Sequence, residues 1–166
     1  IRHRDLPQPW GNYNGGPWGY CNANFGDMKA MAEEIVAAGA IPGIWFRPLE
    51  TMEQVPESWL LKRDFDNVTL DPSVPEVLDL VKRDVKTIVS WGYKLIKHDF
   101  TCPDYMGNRF LSPDLTVGGW RPHDTTKTNA QILKDLYTLI QQSAGDAVVI
   151  GCNTYNHLAA GIHQIP

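Results

Sequence analysis

The chain has 166 residues and a formal net charge of −4, and 43% of its residues are hydrophobic and 20% charged. This composition is typical of a globular domain. The scattered basic residues argue against a nucleic-acid partner, and no apolar run approaches the roughly 20 residues that span a membrane. Three cysteines without a C-x-x-C pair argue against a zinc knuckle or a disulfide scaffold.

The first structural unit along the chain is a helix followed by a buried strand. A helix is predicted to end at Gly39, and the apolar segment from Ile41 to Phe46 predicts the strand. The apolar stripe of the helix recurs at helical spacing and comprises Met28, Met31, Ala32, Ile35 and Val36.

The second unit repeats this order. Ser73 and Glu76 have the spacing of a capping box, and the helix they open is predicted to end near Gly92. A strand follows over residues 93–98. The apolar stripe of this helix comprises Val77, Leu80, Val81, Val85, Ile88 and Val89.

A third unit completes the series. Thr128 and Gln131 form a second predicted capping box, the helix ends at Gly145, and a strand follows over residues 147–151. Its apolar stripe comprises Ile132, Leu136, Leu139 and Ile140.

The lengths of the connecting segments indicate the architecture. Links from helix to strand are short, whereas the links from strand to helix, 47–72 and 99–126, are long. Alternating helices and strands favour a parallel sheet, and long loops on the face at the strands' C-terminal ends are typical of a (β/α)8 TIM barrel. We therefore predict an α/β fold, a partial TIM barrel of about three consecutive β/α units. Because a whole barrel needs about 250 residues, we expect residues 1–166 to be a fragment of a single catalytic domain.

Polar side chains at the strand ends are the candidates for chemistry. Lys97 and Asp99 lie two residues apart and should point to the same side of their strand, into the barrel. A neighbouring ammonium lowers the pKa of a carboxyl, which suits a nucleophile and not a general acid. A buried structural ion pair is the alternative interpretation. His98 should point the other way, and His157 could reach a ligand.

Several other kinds of site have no motif in this sequence. Neither a G-x-G-x-x-G nor a P-loop supports a nucleotide, no G-x-S-x-G supports a serine hydrolase, and the five histidines lack metal-ligand spacing. We predict neither a metal nor a cofactor.

Two segments resemble the retaining α-galactosidase clan of glycoside hydrolases. Residues 70–77 (LDPSVPEV) and 92–99 (GYKLIKHD) are most similar to glycoside hydrolase family 36 and, more distantly, to family 31. Residues 43–48 and 151–153 resemble the preceding and following strands of that group. The resemblance spans about residues 25–161 and implies that the fragment covers roughly strands 3 to 5 of a glycosidase barrel.

The resemblance also implies roles for individual residues. Asp99 would be the nucleophile that attacks the anomeric carbon, and Lys97 would bind sugar hydroxyls. Trp45 would pack on the sugar. The remaining substrate-binding candidates are Cys152, which would line the pocket, Asn153 beside it, and Arg63, a basic residue before the LDP segment.

The expected substrate is an α-linked oligosaccharide or glycoside, with galactose as the leading sugar. A retaining enzyme also needs an acid/base carboxyl, and the resemblance puts that Asp beyond Pro166, so the fragment should be inactive by itself. Asp104, Asp114 and Asp124 are minor candidates for that role. Departures from the family after Phe46 and after Asn153 leave N-acetylgalactosamine and glucose-type substrates open.

Two other functions remain open at this point. Lys97 could form a Schiff base, with Asp99 as its proton-transfer partner, in a lyase or aldolase. The altered strand ends are also compatible with a non-catalytic carbohydrate-binding barrel.

Overall fold

A computed structural model describes residues 15, 16, 18, 26–51, 53–62, 69–106 and 119–165. The described chain alternates helices with short parallel strands, as the sequence predicts. In chain order the elements are α1 (Met28–Ala37), β1 (Gly43–Phe46), a 3-10 turn (Glu57–Trp59), α2 (Pro75–Ser90), β2 (Leu95–His98), α3 (Thr101–Met106), α4 (Asn129–Ala144), β3 (Val148–Gly151) and α5 (Asn156–Ala159).

The three strands form one parallel sheet in the order β1, β2, β3. Phe46 pairs with His98, and His98 pairs with Gly151, so the C-terminal ends of the strands lie in one row. The α/β class and the parallel sheet are thereby confirmed. Barrel closure stays a prediction, since three neighbouring strands do not form a closed sheet.

One face of the sheet is covered by α2 and α4, which pack against each other. Their predicted apolar stripes supply much of the buried core. Val81, Ile88, Leu136 and Ile140 have no exposed surface. Removing a side chain of this size from water contributes about 1.5–3 kcal/mol, so these two stripes anchor the layer behind the sheet.

The predicted helix ends after α2 and α4 are confirmed. Gly92 and Gly145 have φ values of 99° and 58°, in the region where a side chain is strained. The turns at these two residues lead directly into β2 and β3. At the start of α4, the capping box of Thr128 and Gln131 is present, with each side chain accepting from the other residue's backbone N–H.

The capping box predicted at Ser73 is wrong. Helix α2 begins at Pro75, its N-cap is Val74, and no side chain caps it. The Ser73 hydroxyl instead accepts from the backbone N–H of Asp124, while Ser73 N–H donates to Asp71. Ser73 thus joins two loops, because Asp71 also accepts from the N–H of His123.

Two further features differ from the sequence prediction. The stretch predicted as a long loop after β2 contains α3, whose residues 101–105 are all buried, so it lacks the amphipathic pattern that marks a surface helix. In α1 only Ala32 is buried, and Val36 is 58% exposed. The helix itself is present as predicted, but most of its apolar stripe is not buried against the described residues.

Backbone pairing extends beyond β3. Ile165 forms a parallel bridge with Ile150, and its carbonyl accepts from the N–H of Gly151 at 2.8 Å. The chain after α5 therefore returns to the outer edge of β3. Among the described residues, no helix is both long and apolar enough to cross a membrane.

Candidate active site

The strand register brings the predicted site residues together. Trp45 and Lys97 are paired neighbours on β1 and β2, and Asp99 follows β2 directly, with its N–H bonded to the carbonyl of Phe46. His98 lies on the opposite face of β2, as predicted, and its ring packs 5.8 Å from that of Tyr137 on α4. The face of the sheet away from α4 therefore carries the polar cluster.

The Asp99 carboxylate is buried and held on both oxygens. Its Oδ1 accepts from the side-chain amide of Asn153 and from the Phe100 N–H, both at 2.7 Å. Its Oδ2 accepts from the indole N–H of Trp45 at 3.0 Å. Asp99 is only 5% exposed, so these donors replace water around the charge.

The pKa of Asp99 lies below its ordinary value. Burial by itself would raise it, but the hydrogen bonds from Asn153, the Phe100 backbone, Trp45 and Cys152 together outweigh burial. The direction agrees with the sequence prediction, whereas the cause differs. The lowering comes from hydrogen-bond donors and not, as the sequence suggested, from Lys97, whose Nζ is 3.9 Å from Oδ2 and whose side chain is 42% exposed.

The Cys152 thiol also faces this carboxylate. The pKa of Cys152 is raised by burial and by the hydrogen bond and charge of Asp99, and the nearby Lys97 only partly opposes the rise. The thiol therefore stays protonated at neutral pH and donates to Asp99. It is a free thiol of intermediate exposure at the end of β3.

Two donors to Asp99 have unusual backbone conformations. Phe100 has a φ of 61° and Asn153 a φ of 50°, and these are the only non-glycine residues with positive φ in the described chain. Asn tolerates this region, but a bulky aromatic residue rarely occupies it. Backbone strain of this kind is concentrated at functional sites.

Arg47, which directly follows β1, holds several side chains next to Asp99. Arg47 holds Asp104 with two hydrogen bonds, of 2.6 and 3.1 Å, and its Nη2 is 2.9 Å from a carboxylate oxygen of Glu50. The Arg47 guanidinium carbon lies 4.6 Å from the centroid of the Phe100 ring, and the Trp45 ring meets the same ring edge to face at 6.1 Å. The aromatic surface beside Asp99 is therefore fixed from two sides.

A chain of neutral hydrogen bonds supports β2 from behind. The Nε2 atoms of His98 and His163 are 2.9 Å apart, and His163 Nδ1 faces the Gln141 side-chain oxygen at 3.4 Å. Because that oxygen accepts, His163 carries its proton on Nδ1. Its Nε2 then accepts from His98, whose Nδ1 accepts from the Thr101 hydroxyl at 3.3 Å.

Neither histidine of this pair carries a charge at neutral pH. Burial and the neighbouring His163 lower the pKa of His98 to about 3, against a smaller opposing effect of Asp99. Burial lowers the pKa of His163 to about 4. A second proton on His163 would sit on Nε2, directly against the N–H of His98, and both rings are buried, so the charged forms are disfavoured.

The other sequence candidates lie elsewhere or outside the described residues. Arg63 and Asp114 are not among the described residues. His157 is exposed on α5, with its ring 6.0 Å from that of Tyr155. Asp104 is held by Arg47, and the pKa of Asp124 is lowered by hydrogen bonds from Thr126. The described residues contain no group of three or more metal-binding side chains.

Sequence reasoning did not single out Phe100 or the role of Arg47. A positive φ at a phenylalanine has no sequence signature, and the partner of Arg47 lies 57 residues away. The position of both residues within two residues of a strand end was the only available signal.

Comparison with solved structures shows two proteins of similar fold. The α-galactosidase TtGalA from Thermus thermophilus, in complex with p-nitrophenyl α-D-galactopyranoside, matches with a TM-score of 0.60 and 19% identity over 82% of this chain and 28% of that chain. The same enzyme in complex with stachyose matches with a TM-score of 0.61 and 20% identity, over 83% and 30%. Aspergillus fumigatus Ega3, in complex with galactosamine, matches with a TM-score of 0.54 and 12% identity, over 82% and 55%.

No protein-family model and no curated protein matches the chain. The chain spans less than a third of the α-galactosidase chains and about half of the Ega3 chain. At these identities the likeness shows a shared fold. The chain thus has the α/β fold of a segment of these proteins, with a buried, multiply hydrogen-bonded carboxylate at the C-terminal end of its central strand.

Proposed function

We propose that the native protein is a retaining α-glycosidase of the α-galactosidase type, with Asp99 as its nucleophile. The observation that carries this proposal is the ionised, buried Asp99 carboxylate, oriented by Trp45, Phe100 and Asn153 at the end of β2. In a parallel barrel, the C-terminal ends of the strands carry the active site. The similar fold of TtGalA and Ega3 supports the same conclusion.

The chemistry follows from the state of that carboxylate. Asp99 attacks the anomeric carbon as the glycosidic bond breaks, a catalytic acid protonates the leaving oxygen, and a covalent glycosyl-Asp99 ester forms. Water, deprotonated by the same acid/base group, then releases the sugar with its anomeric configuration retained. A low pKa keeps Asp99 ionised for the first step, and a low pKa also makes it a good leaving group in the second.

The acid/base carboxyl is proposed to come from a part of the native polypeptide outside residues 1–166. It must lie about 5–5.5 Å from the nucleophile and have a raised pKa. Asp104 is not available for this role, because Arg47 occupies both of its oxygens with hydrogen bonds. Asp124 does not meet the second condition, because its pKa is lowered. In this proposal the chain is one part of a single catalytic barrel.

The proposed substrate is an α-linked galactoside or galactosamine-type glycoside. Trp45 and Phe100 offer ring surface of intermediate exposure beside Asp99, suited to the apolar face of a sugar. The half-exposed ammonium of Lys97 is available to sugar hydroxyls. Cys152 lines the same edge, and Arg63 and Asn153 complete the proposed substrate-binding set.

The state of Asp99 weighs against the Schiff-base alternative. That alternative needs Asp99 to take up and return protons, whereas the pKa of Asp99 is lowered and both of its oxygens already accept hydrogen bonds. Borohydride treatment in the presence of a ketose or aldehyde should therefore leave Lys97 unmodified, and a reduced adduct on it would favour the lyase.

Covalent trapping tests the proposal directly. The native polypeptide is incubated with a 2-deoxy-2-fluoro-α-galactosyl donor, digested, and analysed by peptide-mapped mass spectrometry. The expected result is sugar mass on the peptide that contains Asp99, and none in an Asp99→Asn variant. A gluco-configured donor and an α-galactosaminide donor run in parallel separate sugar specificity from mechanism. Folded protein that turns over an aryl α-glycoside and is labelled elsewhere, or not at all, would remove Asp99 from this role.

A non-catalytic carbohydrate-binding barrel gives a different pattern. It would bind galactose in calorimetry, release no product from any aryl α-glycoside, and take no label from any of the three donors. The Asp135→Asn variant serves as the control in each experiment, since Asp135 lies on α4 in an exposed ion pair with Lys127.

A further inference from the structure

The conformation of Phe100 needs an explanation beyond its own sequence. Its φ of 61° is a conformation that a phenylalanine rarely adopts, and it directly follows the proposed nucleophile. The Phe100 N–H donates to Asp99 Oδ1 at 2.7 Å. Since φ sets the angle between the peptide plane that carries this N–H and the Phe100 side chain, the positive φ lets the N–H face the carboxylate while the ring faces Arg47. The carbonyl of the same residue accepts from the N–H of Asp104 in α3. Both backbone polar groups of Phe100 are therefore used.

The contacts that hold this turn centre on Arg47. Its guanidinium carbon is 4.6 Å from the centroid of the Phe100 ring, within the range of a cation–π contact. The same guanidinium binds both carboxylate oxygens of Asp104, four residues after Phe100, and one oxygen of Glu50. The Arg47 side chain is 12% exposed and that of Asp104 has no exposed surface, so the group is shielded from water.

We propose that Arg47 is a positioning residue for Asp99, acting by holding Phe100 in the turn that aims its N–H at the carboxylate. The inference rests on the proposed function, since it assigns a means of orienting the proposed nucleophile. Arg47 contacts the ring of Phe100 and binds Asp104 in α3. These contacts hold the strained residue itself and the helix that follows it. A lysine cannot replace it, because a lysine lacks the planar group that both stacks and binds two oxygens.

A substitution at Phe100 can separate this mechanism from a direct effect of the Arg47 charge on Asp99. Glycine adopts a φ of 61° without strain, so a glycine at this position keeps the turn without help from a ring. In the Phe100→Gly background, Arg47 therefore has no ring to hold and no strained turn to maintain, although it still binds Asp104. Its positive charge would still be present and would still act on Asp99.

The experiment is a carboxylate titration in the native polypeptide labelled with 13Cγ-aspartate, with Asp99 assigned by the Asp99→Asn variant. Arg47→Met should raise the pKa of Asp99 by about one unit, the size expected for losing a hydrogen bond to a charged group. Arg47→Lys should raise it similarly. In the Phe100→Gly background, Arg47→Met should produce no further shift. Arg83→Met, which removes an arginine of α2 that bridges the carboxylates of Glu53 and Asp84, is the matched control and should leave Asp99 unchanged.

Two results would overturn the inference. A wild-type pKa in Arg47→Lys, or an equal shift from Arg47→Met in both backgrounds, would show that only the charge of Arg47 matters. Because Arg47→Met leaves Asp104 buried without this partner, it could fail to fold. In that case the variants Phe100→Ala and Phe100→Gly are compared. Only Phe100→Ala should raise the pKa of Asp99. Equal pKa values of Asp99 in the two variants would contradict the mechanism.

The titration does not depend on turnover, so it stands apart from the test of the proposed function. If no covalent label were found on Asp99, the glycosidase proposal would be wrong, but the titration result would still hold. Where the enzyme is active, the acidic limb of kcat/KM should move with the pKa of Asp99 in Arg47→Lys.

Discussion

The side-chain amide of Asn153 donates to Oδ1 of Asp99 at 2.7 Å, across 54 residues of sequence and from the end of the neighbouring strand. Asn153 reaches the carboxylate from a left-handed backbone conformation, as does the Phe100 N–H that shares the same oxygen. Residues from two strained turns, one after β2 and one after β3, thus donate to the same oxygen, Oδ1 of Asp99. This arrangement fixes the orientation of the carboxylate more firmly than a single ion pair with Lys97 would.

The first prediction concerns Asp99 as the proposed nucleophile. On the proposed mechanism, Asp99→Gly in the native polypeptide should lower kcat by about 1,000-fold or more, because the covalent step is lost. Azide should restore turnover by entering the space left by the carboxylate. It attacks from the face opposite the leaving group, so the product of an α-galactoside is a β-glycosyl azide, identified by NMR.

The control for this rescue is the exposed Asp135→Asn variant, which should keep full activity and form no azide product. A rescued product of α configuration would contradict the placement of Asp99 on the face opposite the leaving group.

The second prediction tests the indole hydrogen bond of Trp45. Trp45→Phe keeps an aromatic surface but removes the donor to Asp99 Oδ2. The pKa of Asp99 should rise, and kcat/KM should fall about 10- to 100-fold, as expected for a lost hydrogen bond to a charged group worth about 1.5–3 kcal/mol. The acidic limb of the pH profile should move to higher pH.

Trp91→Phe is the matched control for Trp45. Trp91 caps the C-terminal end of α2 and packs against Trp18, away from the carboxylate. An unchanged acidic limb in Trp45→Phe would show that the indole does not stabilise the charged form of Asp99.

The third prediction separates backbone strain from hydrogen bonding at Asn153. Glycine tolerates its φ of 50° whereas alanine does not, and neither supplies the amide donor. Both variants should therefore raise the pKa of Asp99, but Asn153→Ala should be less stable than Asn153→Gly by about 1 kcal/mol. Denaturant unfolding measures the second difference.

Equal stability of the two Asn153 variants would indicate that the left-handed turn relaxes once the amide is removed. In that case the hydrogen bond to Asp99 would be the cause of the backbone conformation.

The fourth prediction concerns stability in acid. His98 and His163 have pKa values of about 3 and about 4 when folded, well below the ordinary value of 6.5, so unfolding near pH 5 takes up protons on both. Stability should therefore fall as the pH drops from about 6.5 toward 4. Asp84 acts in the opposite direction, since burial, only partly offset by the hydrogen bond from Arg83, raises its pKa to about 6 and unfolding releases its proton.

Two variants resolve these contributions. Near pH 5, Asp84→Asn should increase the proton uptake on unfolding by about one relative to the wild type, and His163→Gln should decrease it by about one. The slope of unfolding free energy against pH measures both. A slope that neither substitution changes would show that other groups control the acid response.

Much of the fold could be predicted from local patterns. The apolar stripes of α2 and α4, the left-handed glycines at Gly92 and Gly145, and the capping box at Thr128 are set by neighbours within a few residues, so the sequence displays them directly. The capping box at Ser73 was predicted by the same reasoning and was wrong, because a distant N–H, that of Asp124, takes the hydroxyl.

The candidate site shows the same difference between features set by near neighbours and features that depend on distant contacts. The sequence by itself determined that Lys97 and Asp99 share one side of a strand, since side chains alternate with a period of two. Only the tertiary structure decided which groups hold Asp99: Trp45 and Asn153 each lie 54 residues away, and Phe100 reaches it through a positive φ. Such contacts depend on strand register and loop geometry, which arise from packing of the whole domain and leave no periodic trace in the chain.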